Sequence, residues 1–168
     1  MHDMYPRELV VGVDGSQASK HALGFAMREA GLRRSTLHVV TVWKARDTDS
    51  ATAAAADGGE QRRERAQYLQ DAAVASALSE VEARPVLLRS VVSGDAGEVL
   101  CEMAVDADYL VVGGGRDAST SIVALGAVSE FCLHHAGCAL VVVSRAAPSE
   151  AAWQPTPRLG YVARARAS

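Results

Sequence analysis

The chain has 168 residues, a hydrophobic share of 49% and a formal net charge of −3, from 17 Lys and Arg against 20 Asp and Glu. This length suits one domain with a sizeable core, and the slight acidity gives no basic footprint for nucleic acid. We therefore expect no nucleic-acid partner. Three cysteines make no disulfide framework, and no apolar stretch reaches the roughly 20 residues that cross a membrane. These two observations lead us to expect a cytoplasmic protein without a membrane partner.

Five apolar runs rich in Val and Leu predict buried strands: Leu9–Asp14, Thr36–Trp43, Pro85–Val92, Tyr109–Gly113 and Ala139–Ser144. Between them, apolar residues recur every three or four positions, as they do on one face of a helix. These residues mark four helices, around Ala22–Ala30, Ala66–Val81, Ala96–Ala107 and Leu125–Ala136. The alternation of strand and helix is typical of a three-layer α/β sandwich around a five-stranded parallel sheet with right-handed crossovers.

Two segments fall outside this alternation. Lys44–Gly59, rich in Ala, Asp and Thr, predicts a mobile loop after the second strand. Residues 146–168 contain three prolines and scattered arginines, and lack a helical or strand period. We therefore divide the chain into a domain of residues 1–145 and a C-terminal tail of residues 146–168. The tail is either loosely docked or an arm that lies on a partner subunit.

Two strands about a hundred residues apart end in small residues that expose the backbone. The first runs from Leu9 into Asp14-Gly15-Ser16, and the other runs from Tyr109 into three glycines, Gly113 to Gly115. In open parallel sheets, ligands bind outside the carboxyl ends of the strands, where the strand order reverses. The two ends therefore predict one shared pocket. Asp14 either lies beside a ligand there or helps Ser16 to cap the following helix.

The pattern resembles the universal stress protein family over about residues 8–145. The resemblance depends on several short motifs that occur in order: Val11-Gly12-Val13-Asp14-Gly15-Ser16, Leu37–Val40, Ser93–Ala96, Ala107–Gly113, Leu125–Ser129 and His134–Cys138. It implies an adenine nucleotide alpha hydrolase-like fold with sheet order 3-2-1-4-5. It also implies that the first and fourth strands are neighbours at the point where the order reverses.

Some members of that family bind ATP through the motif G-x2-G-x9-G-[ST], and others lack it. Here Gly113 and Gly126 match the first and third glycines, while Arg116 and Ala127 occupy the second glycine and the Ser/Thr position. Arg116 either blocks the backbone approach to a phosphate or itself grips one with its guanidinium. Ser119, Thr120, Ser121 and Ser129 offer substitutes for the hydroxyl that Ala127 lacks.

The resemblance implies a pocket for ATP, with Mg²⁺, or for AMP. Its candidate residues are Asp14, Thr41, Val42, Gly113, Gly115, Arg116, Gly126, Ala127, Val128 and Ser129. Thr41 and Val42 would contribute backbone groups on the adenine side, so their identity says little. We expect no resident metal, because His134 and His135 are adjacent on a helix and point in different directions.

Three functions stay open from the sequence. The first is a nucleotide-responsive regulatory protein with weakened phosphate contacts, and the second is a dimeric interaction module that binds no nucleotide. The third is a small hydrolase of adenylated substrates, although no G-x-S-x-G elbow is present and His21 and His38 have no evident partner. In each case we expect a homodimer through the apolar edge strand Ala139–Val143, as in the family, and an unknown regulatory protein partner.

Overall fold

The five predicted strands form one fully parallel sheet. The structure, a computed structural model, describes residues 7–44, 54–115 and 125–144, with only the backbone for residues 54–57. Its elements are, in chain order, β1 (Glu8–Gly12), α1 (Gln17–Arg33), β2 (Thr36–Trp43), α2 (Ala54–Ser79), β3 (Val86–Ser93), α3 (Ala96–Met103), β4 (Tyr109–Gly113), α4 (Ala127–His135) and β5 (Ala139–Val143). The strand order is β3-β2-β1-β4-β5, with every neighbouring pair parallel. The predicted fold class and strand order are confirmed.

Helices cover the sheet on both faces, and a separate apolar cluster lies under each pair of helices. Alternate side chains of the strands point to opposite faces, so successive valines divide between the clusters. One cluster packs α1 and α2 against residues such as Val11 and Val39. The other packs α3 and α4 against residues such as Val10 and Val40. The nearly continuous Val and Leu runs are explained by this burial on both faces.

Helix α2 starts earlier than the sequence predicted. The loop expected over Lys44–Gly59 is wrong in its last part, because Ala54 to Gly59 belong to α2. Three successive alanines favour a helix, and the cost of about 1 kcal/mol for each following glycine does not end it. Residues 45–53 lie outside the described part of the chain, as does the tail of residues 146–168.

A buried glutamine ties α2 to the sheet. The Nε2 group of Gln70 donates to the carbonyl oxygens of Val39 (3.2 Å) and Ser90 (2.9 Å) and to Oγ1 of Thr41 (3.1 Å). Its Oε1 accepts a hydrogen bond from Nε of Arg89 at 3.2 Å. Gln70 is fully buried, and its polar groups are thereby satisfied. This contact fixes the backbone of the neighbouring strands β2 and β3.

Three cysteines belong to the layer formed by α3 and α4. Cys101 and Cys132 are buried, Cys138 is half-buried, and all three are free thiols. Burial, together with the neighbouring Cys101, raises the pKa of the Cys132 thiol to about 12. Burial also raises the pKa of Cys138. Cys101 and Cys132 therefore serve as small core residues.

None of the helices in the described ranges combines the length and the apolar character that a membrane span requires.

Candidate functional site

The carboxyl ends of β1, β2 and β4 open into a cavity of about 900 Å³. It lies where the chain reverses the strand order, since β1 pairs with β2 on one side and with β4 on the other. The first turns of α1, α3 and α4 close its walls. Its lining includes residues from the ends of all three strands and all three helices, among them Gly12, Val40, Val112, Ser16, Ala96 and Gly126. The position is the one at which open parallel sheets bind ligands.

Most of the candidate residues taken from the sequence come together in this cavity. Its walls contain Asp14, Val42, Gly113, Gly115, Gly126, Ala127, Val128 and Ser129. Thr41 does not line the cavity, because its side chain is buried toward α2, where its Oγ1 accepts from Gln70. Arg116 lies outside the described residues, as do Ser119, Thr120 and Ser121. The strand ends and the start of α4 therefore form one site.

Gly113 and Gly126, the two glycines that match the nucleotide motif, differ in whether packing within the protein requires a glycine. A Cβ atom at position 113 would lie 2.7 Å from the carbonyl carbon of Ala18 and 2.8 Å from the backbone nitrogen of Ser19. Gly113 is therefore needed for the close packing of β4 against the start of α1. At position 126 the nearest atom to a Cβ would be the Cα of Gly115, at an ordinary 3.7 Å. Contacts within the described chain do not require a glycine there.

The start of α4 faces the cavity without a side-chain cap of its own. Gly126 is the N-cap residue and has an extended backbone, with φ −74° and ψ 162°. The backbone N–H groups of the first turn of a helix, together with the positive end of its dipole, favour anions. The next residue, Ala127, adds no hydroxyl. Ser129 is buried, and its Oγ donates to the carbonyl oxygen of Gly113 at 2.6 Å. That proton is therefore not available to a phosphate.

The glycine turn after β4 is partly used by the sheet itself. The N–H group of Gly114 donates to the carbonyl oxygen of Val143 at 2.8 Å. A Cβ atom at Gly114 would approach the Cβ of Ser144 to 3.4 Å. The turn is thus held against the end of β5, and Gly114 does not offer its N–H group to a ligand in this arrangement.

On the opposite wall, Asp14 occupies a tight turn between β1 and α1. Its Oδ1 accepts from the N–H of Ser16 at 2.8 Å, and Gly15 between them has a φ of +82°. Ser16 is the N-cap of α1, and its Oγ accepts from the N–H of Ser19 at 3.2 Å. Partial burial raises the pKa of Asp14, but hydrogen bonds from Ser16 and Ser19 outweigh it and hold that pKa below its ordinary value. Asp14 therefore keeps its charge at neutral pH, which suits a hydroxyl donor or a cation.

His21 lines the same cavity and was missed in the sequence. It lies in the second turn of α1, and its Nδ1 is buried without a hydrogen-bond partner in the described part of the chain. The available signal was its helical spacing, since His21 follows Gln17, the first residue of α1 and also part of the cavity wall, by four residues, or about one turn. A polar ring on the cavity wall adds a group that can contact a ligand.

The described residues contain no group of three or more His, Cys, Asp or Glu side chains that could hold a metal ion. Of the two adjacent histidines, His135 stacks on Phe131 with ring centroids 4.1 Å apart. Its Nδ1 also lies 2.8 Å from the carbonyl oxygen of Phe131. His135 therefore packs against its own helix.

Comparison with solved structures shows where this architecture recurs. Universal stress protein UspA from Lactobacillus plantarum is 18% identical, with a TM-score of 0.69, and the match covers 84% of this chain and 99% of that one. A universal stress protein family protein from Arabidopsis thaliana, crystallised with AMP bound, is 22% identical, with a TM-score of 0.58 and coverage of 89% and 100%. The universal stress protein from Archaeoglobus fulgidus in complex with dAMP is 16% identical, with a TM-score of 0.51 and coverage of 84% and 99%.

At this level of identity these likenesses show a shared fold. Among curated proteins, none matches this chain. The profile of the universal stress protein family matches residues 6–144, which is most of the chain and includes every element of the fold. The chain therefore belongs to the universal stress protein family.

Proposed function

We propose that this protein is a regulatory protein that binds an adenine nucleotide in the cavity between β1 and β4. The observation that carries the proposal is Gly126. It precedes the first residue of α4 and faces a cavity of about 900 Å³, yet no neighbouring atom in the described chain would clash with a Cβ atom there. A ligand phosphate that approaches the backbone N–H groups of α4 would explain the glycine, because a side chain at position 126 would block that approach.

Relatives support the choice of an adenine nucleotide. The Arabidopsis protein was crystallised with AMP, and the Archaeoglobus protein is in complex with dAMP. Each of these ligands carries a single phosphate. In this chain the hydroxyl of the ATP motif is missing at Ala127, and the hydroxyl proton of Ser129 is used by Gly113. The described residues thus favour AMP over ATP with Mg²⁺, since outer phosphates have fewer donors.

Asp14 has a defined part in this proposal. Its charged carboxylate would repel a phosphate, so it suits the ribose hydroxyls at the other end of the nucleotide. The apolar Val40 and Val42 lie along the wall between, at the carboxyl end of β2. The nucleotide would therefore cross the sheet, with its phosphate at α4 and its sugar near Asp14.

A second candidate is a member of the same family that acts as an interaction module without nucleotide. One observation favours it: the packing of Gly113 against Ala18 and Ser19 explains that glycine without any ligand. Mass spectrometry of small molecules released from the denatured protein, with calorimetric titration of AMP and ATP, separates the two functions. Retained adenine nucleotide, or saturable binding below millimolar concentration, supports the first.

A matched pair of variants tests the site itself. Gly126→Leu places a side chain where the backbone would meet the phosphate, and its Cβ would lie 3.7 Å from the nearest described atom, an ordinary contact. Gly137→Leu makes the same change where no described atom lies within 4 Å of the added Cβ. We expect AMP affinity to fall at least about tenfold in the first variant and to stay unchanged in the second. Equal affinity in both variants contradicts a phosphate at α4.

We also propose a cytoplasmic homodimer. β5 is one of the two edge strands of the sheet, and its one leucine and three valines are only partly covered within one copy of the chain. An apolar edge of this kind favours pairing with another strand, and a second copy supplies an identical one.

A further inference from the structure

Three polar side chains meet on the sheet, away from the nucleotide cavity. Nε2 of His38 lies 2.8 Å from Oγ of Ser90, and Nδ1 of His38 lies 3.2 Å from Oε1 of Glu8. A carboxylate, an imidazole and a hydroxyl therefore form a chain across three strands. The expectation from the sequence that His38 has no partner was wrong.

The strand register brings the three residues together. Glu8 begins β1, and His38 on β2 is level with Val10 of β1 and with Leu88 of β3. Ser90 is two residues farther along β3, level with Val40. All three occupy positions that alternate in step with Val10 and Val40, so they share the face of α3 and α4. Diagonal neighbours on one sheet face are within reach of long side chains.

The chemistry of the groups orders the protons along this chain. An ionised Glu8 can only accept, so the proton of a neutral His38 ring lies on Nδ1 and points to Glu8. Nε2 then presents a lone pair, to which the hydroxyl of Ser90 donates. This is the arrangement in which an imidazole activates a serine nucleophile and a carboxylate orients the imidazole.

Ser90 is held in place and stays within reach of solvent. Its carbonyl oxygen accepts from the buried Gln70 at 2.9 Å, which fixes the backbone from the opposite face. Ser90 itself is half-buried. On the same strand and face, Leu88 is 48% exposed and Val86 is 67% exposed. Leu88, the nearer of the two, offers an apolar surface beside the hydroxyl, against which a small acyl group can pack.

We infer that Ser90 is a nucleophile, with His38 as its general base, that takes an acyl group from small activated acyl donors. Oγ of Ser90 attacks the acyl carbon while its proton passes to Nε2 of His38. The bond between the acyl carbon and the leaving group then breaks. The leaving group departs with that electron pair and takes the proton from His38. The products are an ester at Ser90 and the protonated leaving group, and no oxidant or metal is needed.

The rate gain expected from His38 limits which acyl donors can react at Ser90. General-base catalysis typically contributes about 10² to 10⁴ in rate. That is enough for donors with good leaving groups, such as thioesters, acyl phosphates and aryl esters. Glu8 does not touch the reacting atoms and is a positioning residue for the imidazole.

The test uses p-nitrophenyl acetate, which has an apolar acyl group and no adenine, so its result is independent of nucleotide binding. Release of nitrophenolate is followed together with the mass of the peptide that contains Ser90. We expect one acetyl group at Ser90 in the unaltered protein and none in Ser90→Ala. Ser93→Ala, a matched change at the exposed end of the same strand, should acetylate Ser90 at the unaltered rate. His38→Gln should lower the rate of Ser90 acetylation at least about tenfold.

Two conservative variants test the part of Glu8. In Glu8→Gln, which has the same size, acetylation of Ser90 should be slower, because a neutral amide does not stabilise the imidazolium that forms as Ser90 attacks. Glu8→Asp keeps the carboxylate and should retain more of the rate than Glu8→Gln. A merely structural contact would give the opposite order, since the side chain of the right length would then matter and its charge would not. Acetylation that is absent at Ser90 in the unaltered protein, or as fast in His38→Gln, overturns the inference. Should Ser90→Ala fail to fold by circular dichroism, the mapped acetyl group and the His38→Gln rate decide the matter.

Discussion

The hydroxyl of Ser129, in the first turn of α4, donates to the carbonyl oxygen of Gly113 at the end of β4 over 2.6 Å. This bond links the two halves of the nucleotide motif, which are separated in sequence by residues 116–124 that lie outside the described chain. It sets the distance between the glycine turn and the helix start. The same hydroxyl thereby becomes part of the scaffold of the site.

Replacing this hydroxyl should reduce stability more than ligand affinity. Ser129→Ala leaves the half-buried carbonyl oxygen of Gly113 without its side-chain donor, which costs about 0.5–1.5 kcal/mol in the free energy of unfolding. Ser79→Ala removes a comparable bond on an exposed helix end and should change stability by less than about 0.5 kcal/mol. Urea unfolding of both variants measures the difference. Equal midpoints would show that the bond contributes nothing.

Restoring the motif should strengthen the binding of ATP. The double variant Arg116→Gly, Ala127→Ser returns a glycine and a hydroxyl to the positions where the family motif has them. One recovered hydrogen bond to a charged group should raise ATP affinity at least about tenfold, as measured by calorimetric titration. Ala127→Ser alone serves as the comparison. If the double variant binds ATP more weakly than the single one, Arg116 is itself a phosphate ligand.

Protonation of Asp14 should weaken the fold in acid. Its pKa is lowered by folding, because the hydrogen bonds from Ser16 and Ser19 outweigh partial burial, so the charged carboxylate stabilises the fold at pH above the unfolded value of about 3.9. That stability is lost as the pH falls through the lower folded value. Asp14→Asn keeps an acceptor for the N–H of Ser16 but does not titrate.

Thermal unfolding measured across the acid range separates these contributions. The stability of the unaltered protein should exceed that of Asp14→Asn at neutral pH by a small margin, because solvent reaches Asp14 in the open cavity wall and screens its charge. The two curves should converge in acid. Curves that stay parallel over the whole range would place the benefit of Asp14 in packing or hydrogen bonding instead of charge.

A homodimer through β5 predicts a specific response to changes along that edge. Light scattering at micromolar concentration should give twice the mass of the chain. Ala139→Lys places a charge on an exposed residue of the edge strand and should shift the mass toward the monomer. Val142→Pro should do the same by removing a backbone donor. Leu32→Ser, at an exposed apolar residue of α1, should remain dimeric. A light-scattering mass equal to that of one chain in the unaltered protein would contradict the proposed homodimer.

The fold could be predicted because its signals are local. Runs such as Leu37 to Val42 are buried on both faces, and the alanines of α1 recur at helical spacing. The start of α2 was missed because the Ala-rich segment also contains Asp57, Gly58 and Gly59, whose residue types are typical of loops. Alanine propensity and the packing of the later turns of α2 outweigh them.

The position of the cavity could be predicted for a similar reason, since the carboxyl ends of parallel strands meet at one edge. The chain formed by Glu8, His38 and Ser90 could not. Its members come from three strands, and Glu8 and Ser90 are separated in the sheet by the whole of β2. Their approach depends on a register that composition and periodicity do not reveal, because a shift of one residue would turn each side chain to the other face.

The cysteines of the α3–α4 layer have a consequence for how opening of this protein can be followed. Alkylating reagents react with the thiolate form of cysteine. Because the pKa of Cys132 is raised to about 12, almost none of it is in the thiolate form at neutral pH. Cys132 is also fully covered in the folded chain. Its alkylation therefore requires that α4 leave the sheet, whereas the half-buried Cys138 needs a smaller movement. The rate at which Cys132 is alkylated in the native protein therefore reports how often α4 detaches from the sheet, and no label has to be introduced.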